Sequence, residues 1–402
     1  MVNEVKVMVL DGENKTALSI TRSLGKKGFR VIVGSSSSTC MAGKSRYCYK
    51  TVKYPSVREN RGRFVDFMLN FLAREKVDVL LSATDNTLVP IMENRDDFEK
   101  HAALPLPSYD SFMKAYDKGL TMEIAKRLGV PIPKTYIPAD KGELLRISRD
   151  IGYPAVLKPR ISKYWSGGKY RSGIRRYVST PEELVSNYEE MDRLIPNPII
   201  QEFVNGDGAG IFLLFDGEKT VLRSAHKRIK EVPLDGGPSV LCRSMEPDPK
   251  LLAYSESLLR EIDWFGVAMV EFRKNPETGE AWLMEINGRF WGSLELAVSS
   301  GIDYPYHLVM LTLGRDVDED IEYKIGHRCR DIRGEFEHLY LYIFKNPGGR
   351  PSFKDAAGNI IDTMKPFKRD TSNFIFSWKD PVPFLYSSSR YLRNKFREKI
   401  GR

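Results

Sequence analysis

The segment that most limits what this chain can become runs from residue 265 to residue 289. It reads FGVAMVEFRK, then the turn NPETG, then EAWLMEINGR. Two β-rich runs joined by a turn holding proline and glycine form a hairpin. With the turn centred near Glu277, Glu271 falls opposite Leu283, and Glu285 lies diagonal to Glu271 on the same face. Asn287 continues that face by the strand period of two. Two carboxylates and an amide therefore converge among apolar neighbours such as Val267, Met269 and Leu283. Carboxylates sharing a buried face repel each other unless a cation sits between them. Hard oxygen ligands suit Mg²⁺, which takes one or two protein carboxylates and fills its shell with water and phosphate oxygens. The plainer alternative is a pair of surface glutamates on an exposed hairpin. Arg289 follows directly, and its planar fork of donors fits phosphate or carboxylate oxygens.

Upstream, the chain alternates strand and helix patterns: a strand over 5–10, a helix over 17–27, a strand over 29–34, a helix over 64–74 and a strand over 77–82. This order predicts a parallel α/β sheet of Rossmann type. Its first turn, from Asp11 to Ala17, lacks the GxGxxG dinucleotide fingerprint. The helix start after it either holds an anionic group or closes an ordinary loop. Asp85 sits at the end of another strand, where open α/β sheets bind ligands; a helix N-cap is its competing role. A helix is expected over 111–128, stopped by the Gly129-Val-Pro-Ile-Pro run.

Two further segments carry candidate chemistry. Lys158 ends the apolar run in GYPAVLKPR. After it comes the glycine- and cation-rich stretch SGGKYRSG, a loop type that can fold over phosphates or simply cap a surface hairpin. Farther on, IIQEFVNGDG is a strand that breaks into a turn. Backbone flanked by apolar residues there can hydrogen-bond a purine edge, with Asp207 in reach of ribose hydroxyls, or it is only a strand end.

At 402 residues, 42% of them hydrophobic, the chain can fill two or three domains. No apolar run approaches the ~18 residues of a membrane span, and the first residues do not read as a signal peptide. The four cysteines are far apart without a CxxC pair, as expected of reduced thiols in a cytoplasmic protein. Of the net charge of +9, more than half falls in residues 385–402, where six basic residues face only Glu398. The rest is nearly balanced, which argues against a nucleic-acid partner. That tail has the pattern of a basic amphipathic helix, with Leu385, Leu392, Phe396 and Ile400 as its stripe. It is expected either to pack on its own domain or to lie on an anionic membrane surface.

Singly these segments are ambiguous, but their order is not. Lys118 on a helix, then YPAVLKP, a glycine-rich loop, QEFVNGDG and VEF…MEINGRF resemble the ATP-grasp superfamily over about residues 1–320. Within it, the chain is most similar to the carbamoyl-phosphate-synthetase-like carboxylate–amine ligases. The resemblance implies an α/β fold, with α+β character in the ATP-grasp part. A Rossmann-like preATP-grasp domain (1–110) would precede a two-lobed ATP-grasp module (111–320, mobile lid lobe about 131–200). A C-terminal helical extension with the basic tail (321–402) would follow. It also implies ATP and Mg²⁺, two ions for which Mn²⁺ can substitute. Lys118 and Lys158 would contact the phosphates, and the loop with Gly167, Gly168 and Gly173 would close over them. Glu202, Phe203 and Val204 would form the adenine hinge and Asp207 would bind ribose. Glu271, Glu285 and Asn287 would hold metal. Arg289 would face the transferred phosphoryl group, with Lys158 and His226 joining it in catalysis. The implied reaction passes the γ-phosphoryl group to a carboxylate, and an amine then attacks the acyl phosphate. Implied partners are a small carboxylate and an amine, with a homodimer as the implied assembly. The loop KYWSGGKYRSG is more basic and aromatic than the family's usual glycine run. Specificity is expected from residues 13–16, 85–87, 226–243 and 291–295. Two other readings are a bicarbonate-using carboxylase or carbamoyl-phosphate-type enzyme, and a regulatory protein that senses ATP without consuming it.

Overall fold

A computed structural model describes residues 4–166, 169–234, 237–318, 321–345, 351–364 and 369–400, without the side chains of Ser166, Lys169 and 394–400. The expected parallel sheet is present. Its strands Lys50–Lys53, Arg30–Ser35, Lys6–Val9 and Val79–Leu81 lie side by side in that order, all parallel. Near-continuous Val/Ile/Leu/Met runs fill three of its four strands, as a sheet covered on both faces requires. The helix Lys15–Lys26 covers one face and Arg61–Glu75 packs in the other core.

The second sheet is antiparallel, in the order Thr135–Tyr136, Ile199–Glu202, Ala155–Lys158, Arg176–Val178. It is backed by the helices Lys141–Asp150 and Pro181–Asp192 through its own small core. A separate hairpin, Lys163–Ser166 with Lys169–Ser172, projects from it. Tyr170 of that hairpin donates to Asn86 Oδ1 at 3.0 Å, and the Lys163 backbone N–H donates to Tyr116 Oη at 2.9 Å.

The third sheet has seven strands: Ala281–Asn287, Phe265–Lys274, Asp207–Asp216, Thr220–Glu231, Ser239–Met245, Arg328–Arg330 and Thr371–Asn373. One apolar cluster joins it to the first domain, running from Val7 and Leu18 to Phe212, Trp291 and Phe374. This shared core fixes the first domain against the large sheet, so that side chains from both can face one cavity.

Two expectations need correction, on the helix over 111–128 and on the C-terminal extension, and two open alternatives narrow. The helix expected over 111–128 is two helices, Tyr109–Tyr116 and Lys118–Arg127. Asp117 breaks it by accepting from the Gly119 and Leu120 N–H groups while also pairing with Arg160. Asp85 is not an N-cap: Thr84 caps the helix Asp85–Glu93 and Asp85 opens its first turn. The turn after the first strand is closed by the chain itself. Asn14 caps the helix, and the buried Asp11 carboxylate accepts from Thr84 N and from the hydroxyls of Thr84 and Thr87. Burial outweighs these donors and lifts Asp11 to about 6. The C-terminal extension, lastly, is not only helical. Besides Ile332–Phe344, Phe353–Thr363 and Val382–Ile400, it supplies two strands of the large sheet.

In the tail helix, Phe384 packs edge-on to Phe376 and the Tyr386 hydroxyl donates to the Thr39 carbonyl at 2.9 Å. Leu385 and Leu392 are 62% and 56% exposed. The helix is thus packed along one side beyond its first turn, with Ser388 Oγ buried and Arg333 5.8 Å over the Tyr391 ring, while the side chains of Phe396 and Ile400 lie outside the described residues. No helix among the described residues is long and apolar enough to cross a membrane.

Candidate active site

A cavity of about 580 Å³ opens where the three sheets meet, the size range of small-molecule sites. Its centre is the hairpin. The register differs from the expected one, because the partners change between Glu271 and Phe272: Glu271 faces Glu285, and Phe272 faces Leu283. Met284 is thereby the extra residue of a bulge, the device by which strands re-aim side chains beside functional sites. The two glutamates become direct neighbours rather than diagonal ones, which sharpens their mutual repulsion.

Each carboxylate is held by a cation. Arg228 Nη2 donates to Glu271 Oε1 at 2.7 Å, and Lys118 Nζ lies 3.2 Å from Glu285 Oε2. Asn287 Nδ2 donates to Glu285 Oε1 at 3.0 Å. Burial pushes both carboxyls up. For Glu271 it outweighs Arg228, leaving that carboxyl above its usual range. For Glu285, Lys118 and the amide outweigh burial and bring it down to about 2. Among the described residues no three His, Cys, Asp or Glu side chains cluster as a metal cage. Two opposed carboxylates and an amide nevertheless fit a Mg²⁺ ion that keeps most of its shell for phosphate and water.

Lys158 ends the central strand of the second sheet. Its ammonium donates to Gln201 Oε1 at 2.7 Å, and Gln201 Nε2 in turn donates to Thr135 Oγ1. Burial lowers Lys158 to about 8 despite the nearby Glu285. Lys118 also donates to Ser162 Oγ at 3.1 Å. Glu202, Phe203 and Val204 line the cavity beside Val156, Tyr177 and Met284. The Glu202 N–H donates to the Lys134 carbonyl, and the Lys134 N–H donates to Glu202 Oε1. Arg289 Nε donates to Asp85 Oδ1 at 2.8 Å and its Nη2 to Asn287 Oδ1 at 3.2 Å. Gly173 lines the wall where a Cβ would sit 2.4 Å from Pro159, so only glycine fits.

The cavity thus gathers Lys118, Lys158, Gly173, Glu202, Phe203, Val204, His226, Glu271, Glu285, Asn287 and Arg289. Asp207 is exposed at the start of its strand and outside the lining, where Gly208 takes its place. Gly167 and Gly168 lie outside the described residues. Gln201, Ser162 and Met284 escaped sequence reading, whereas Ser293 lies in the 291–295 segment expected to set specificity. Neutral polar residues and a bulge carry no local pattern that marks them, although the alternation in IIQE does put Gln201 on the opposite face to Ile200.

Residues 197–335 match the model of a family described as ATP-grasp in the biosynthetic pathway with Ter operon. The carbamoyl phosphate synthase large chain of Thermotoga sp. (strain RQ2) is 22% identical over 375 residues, covering 85% of this chain and 32% of that protein. The chain therefore spans about a third of that relative's length. Two solved structures share the fold. A biotin carboxylase from Campylobacter jejuni, in a β-γ-ATP complex, superposes with a TM-score of 0.64 at 16% identity, covering 81% of this chain and 74% of that one. An ADP complex of N5-carboxyaminoimidazole ribonucleotide synthetase gives 0.64 at 13% identity, with 90% and 97% covered. The segment that is similar to this ATP-grasp family, residues 197–335, carries the opposed glutamates at the centre of the cavity, and the chain around it shares the fold of both solved structures.

Proposed function

We propose that the chain is an ATP- and Mg²⁺-dependent ligase that phosphorylates a carboxylate and joins it to an amine, releasing ADP and phosphate. The observation that carries this reading is Glu271 set directly against Glu285 among Lys118, Lys158, Arg228 and Arg289. Such a cluster suits a metal-bound polyphosphate far better than an apolar ligand. Mg²⁺ held by Glu271, Glu285 and Asn287 would supply charge neutralisation at the phosphates. Lys118 would exchange Glu285 for phosphate oxygens as the carboxylate turns to metal. Lys158, locked by Gln201, would keep its ammonium on the phosphate chain, with Gly173 and its loop closing above. Glu202, Phe203 and Val204 would hold the adenine edge, and Asp207 would reach the ribose once the lid closes. Arg289 and the neutral His226 would face the transferred group, where charge stabilisation and alignment do most of the work.

The amine as nucleophile is supported by the likeness to a synthetase and by the resemblance of the motifs. The names of the other relatives, a carbamoyl phosphate synthase and a biotin carboxylase, favour a second reading with bicarbonate as the activated acid. The domain limits at about 110 and 320, with a lid over 131–200, belong to the same proposal. So do a homodimer and a cytoplasmic setting with peripheral membrane contact through the tail. An ADP-release screen over carboxylate–amine pairs and bicarbonate, with mass spectrometry of products, tests the reading. ADP formed with bicarbonate alone would select the second reading, and tight ATP binding without ADP under every condition would select a nucleotide sensor.

A further inference from the structure

The cavity extends beyond its carboxylate pair and His226 into an arm whose Lys15 the nucleotide reading leaves unused. Lys15, at the start of the helix Lys15–Lys26, reaches out of the first domain to line this arm with His226, Ser239, Trp291 and Ser293. Its ammonium sits 4.1 Å over the Phe374 ring, and its Cε lies near the backbone of Gly292. Among the described residues no carboxylate pairs with it, whereas Lys118, Arg228 and Arg289 each have one. A half-buried ammonium resting on an aromatic face, with no counter-charge, is a built receptor for an anion. His226 beside it is 6% exposed. Its Nδ1 lies 3.2 Å from Ser293 Oγ, and its Nε2 has no partner among the described residues. Burial and the Arg228 charge lower His226 to about 3, so the ring is a neutral hydrogen-bonding wall.

The sheet itself measures the distance. Glu285, Glu271, Gly210, His226 and Ser244 form one row across five strands. His226 is two strands from Glu271 along this row, about 10 Å at ~4.8 Å per strand.

We infer that the acid activated here carries a second anionic group, a carboxylate or phosphate, which Lys15 holds at the far end of the cavity beside His226 and Ser293. The inference rests on the proposed carboxylate activation and adds the substrate class to it: acids that carry a second anionic group.

The test uses the full chain loaded with Mg²⁺ and ADP. Isothermal titration compares glutarate and adipate with pentanoate and hexanoate, and adds 3-phosphonopropionate to separate carboxylate from phosphate at the second group. The dianions should bind about tenfold tighter or better. Lys15→Met should bring them to the level of the monoanions, with ADP affinity within about twofold of the original. Equal binding of the two series, no binding of either, or unchanged preference in Lys15→Met would overturn the inference. ADP release is read separately. Turnover with monocarboxylates and no dianion preference would leave the ligase reading standing while this one falls. Dianion binding abolished by Lys15→Met, with no ADP release under any condition, would do the reverse.

Discussion

Arg289 and Asp85 stand 204 residues apart in sequence, yet Arg289 Nε donates to Asp85 Oδ1 at 2.8 Å, tying the carboxyl end of the parallel sheet to the hairpin of Glu271 and Glu285. Burial works against the guanidinium charge, and Asp85 more than offsets it, so Arg289 is held above even its usual range. Arg289 thus has a fixed direction before any substrate arrives. Arg289→Ala should lower the rate of ADP release about 10²- to 10³-fold, the cost of losing a preorganised charge. Asp85→Asn, which keeps the shape and loosens the aim, should cost about tenfold. Steady-state kinetics with circular dichroism checks both, and equal losses in the two variants would contradict a positioning role for Asp85.

Glu285→Gln should abolish metal-dependent ADP release with the fold intact, because the side chain keeps its shape and its amide oxygen can still accept from Lys118 or Asn287, which bond different oxygens of the carboxylate. Glu271→Gln should weaken Mg²⁺ dependence more mildly, since burial already lifts that carboxyl. Titration of activity against Mg²⁺ distinguishes the two. Full turnover retained in Glu285→Gln would sink the metal assignment.

Lys158 gives the site a pH dependence of predictable sign. Its ammonium, lowered to about 8, is the form that would bind phosphate in the proposed site. Nucleotide affinity should therefore fall as pH rises through 8. Stability without nucleotide should move the other way. The folded chain releases this proton near 8 and the unfolded chain near 10.5, so the burial cost is full below 8 and relieved on rising toward 10.5. Binding and melting curves from pH 7 to 10 measure both trends, and Lys158→Arg should flatten the first.

Gly288 separates Asn287 from Arg289, and a Cβ there would lie 2.3 Å from Cη2 of the fully buried Trp264. Gly288→Ala should destabilise the protein by about 1–3 kcal/mol, lowering its melting temperature by several degrees. Urea unfolding gives the number. A variant as stable as the parent would show that the indole has room to move.

The tail helix presents Leu385 and Leu392 to solvent beside Arg390 and Arg393. The full chain should co-sediment with vesicles containing anionic lipid more strongly than a chain ending at Pro381, and the difference should shrink as salt rises. Equal sedimentation of the two chains removes the membrane proposal.

The strand–helix alternation of the first domain was legible because both of its periods are local, and so was the hairpin with its turn. Glu271, Glu285, Asn287, Lys158 and Arg289 could be named from sequence because charge within apolar strand text is conspicuous. Which of them touch could not be read. A one-residue bulge at Met284 turned a diagonal pair of glutamates into an opposed one, and a pattern of period two has no means of announcing a skipped residue. Asp117 divided a helix that its own periodicity favoured, because its carboxylate is shared between two helix N–H groups and Arg160, 43 residues away. Only the tertiary structure set Lys15 over Phe374 and Arg289 against Asp85. Those meetings depend on one apolar core joining two sheets that lie far apart in sequence, and such contacts are decided by packing rather than by any local pattern.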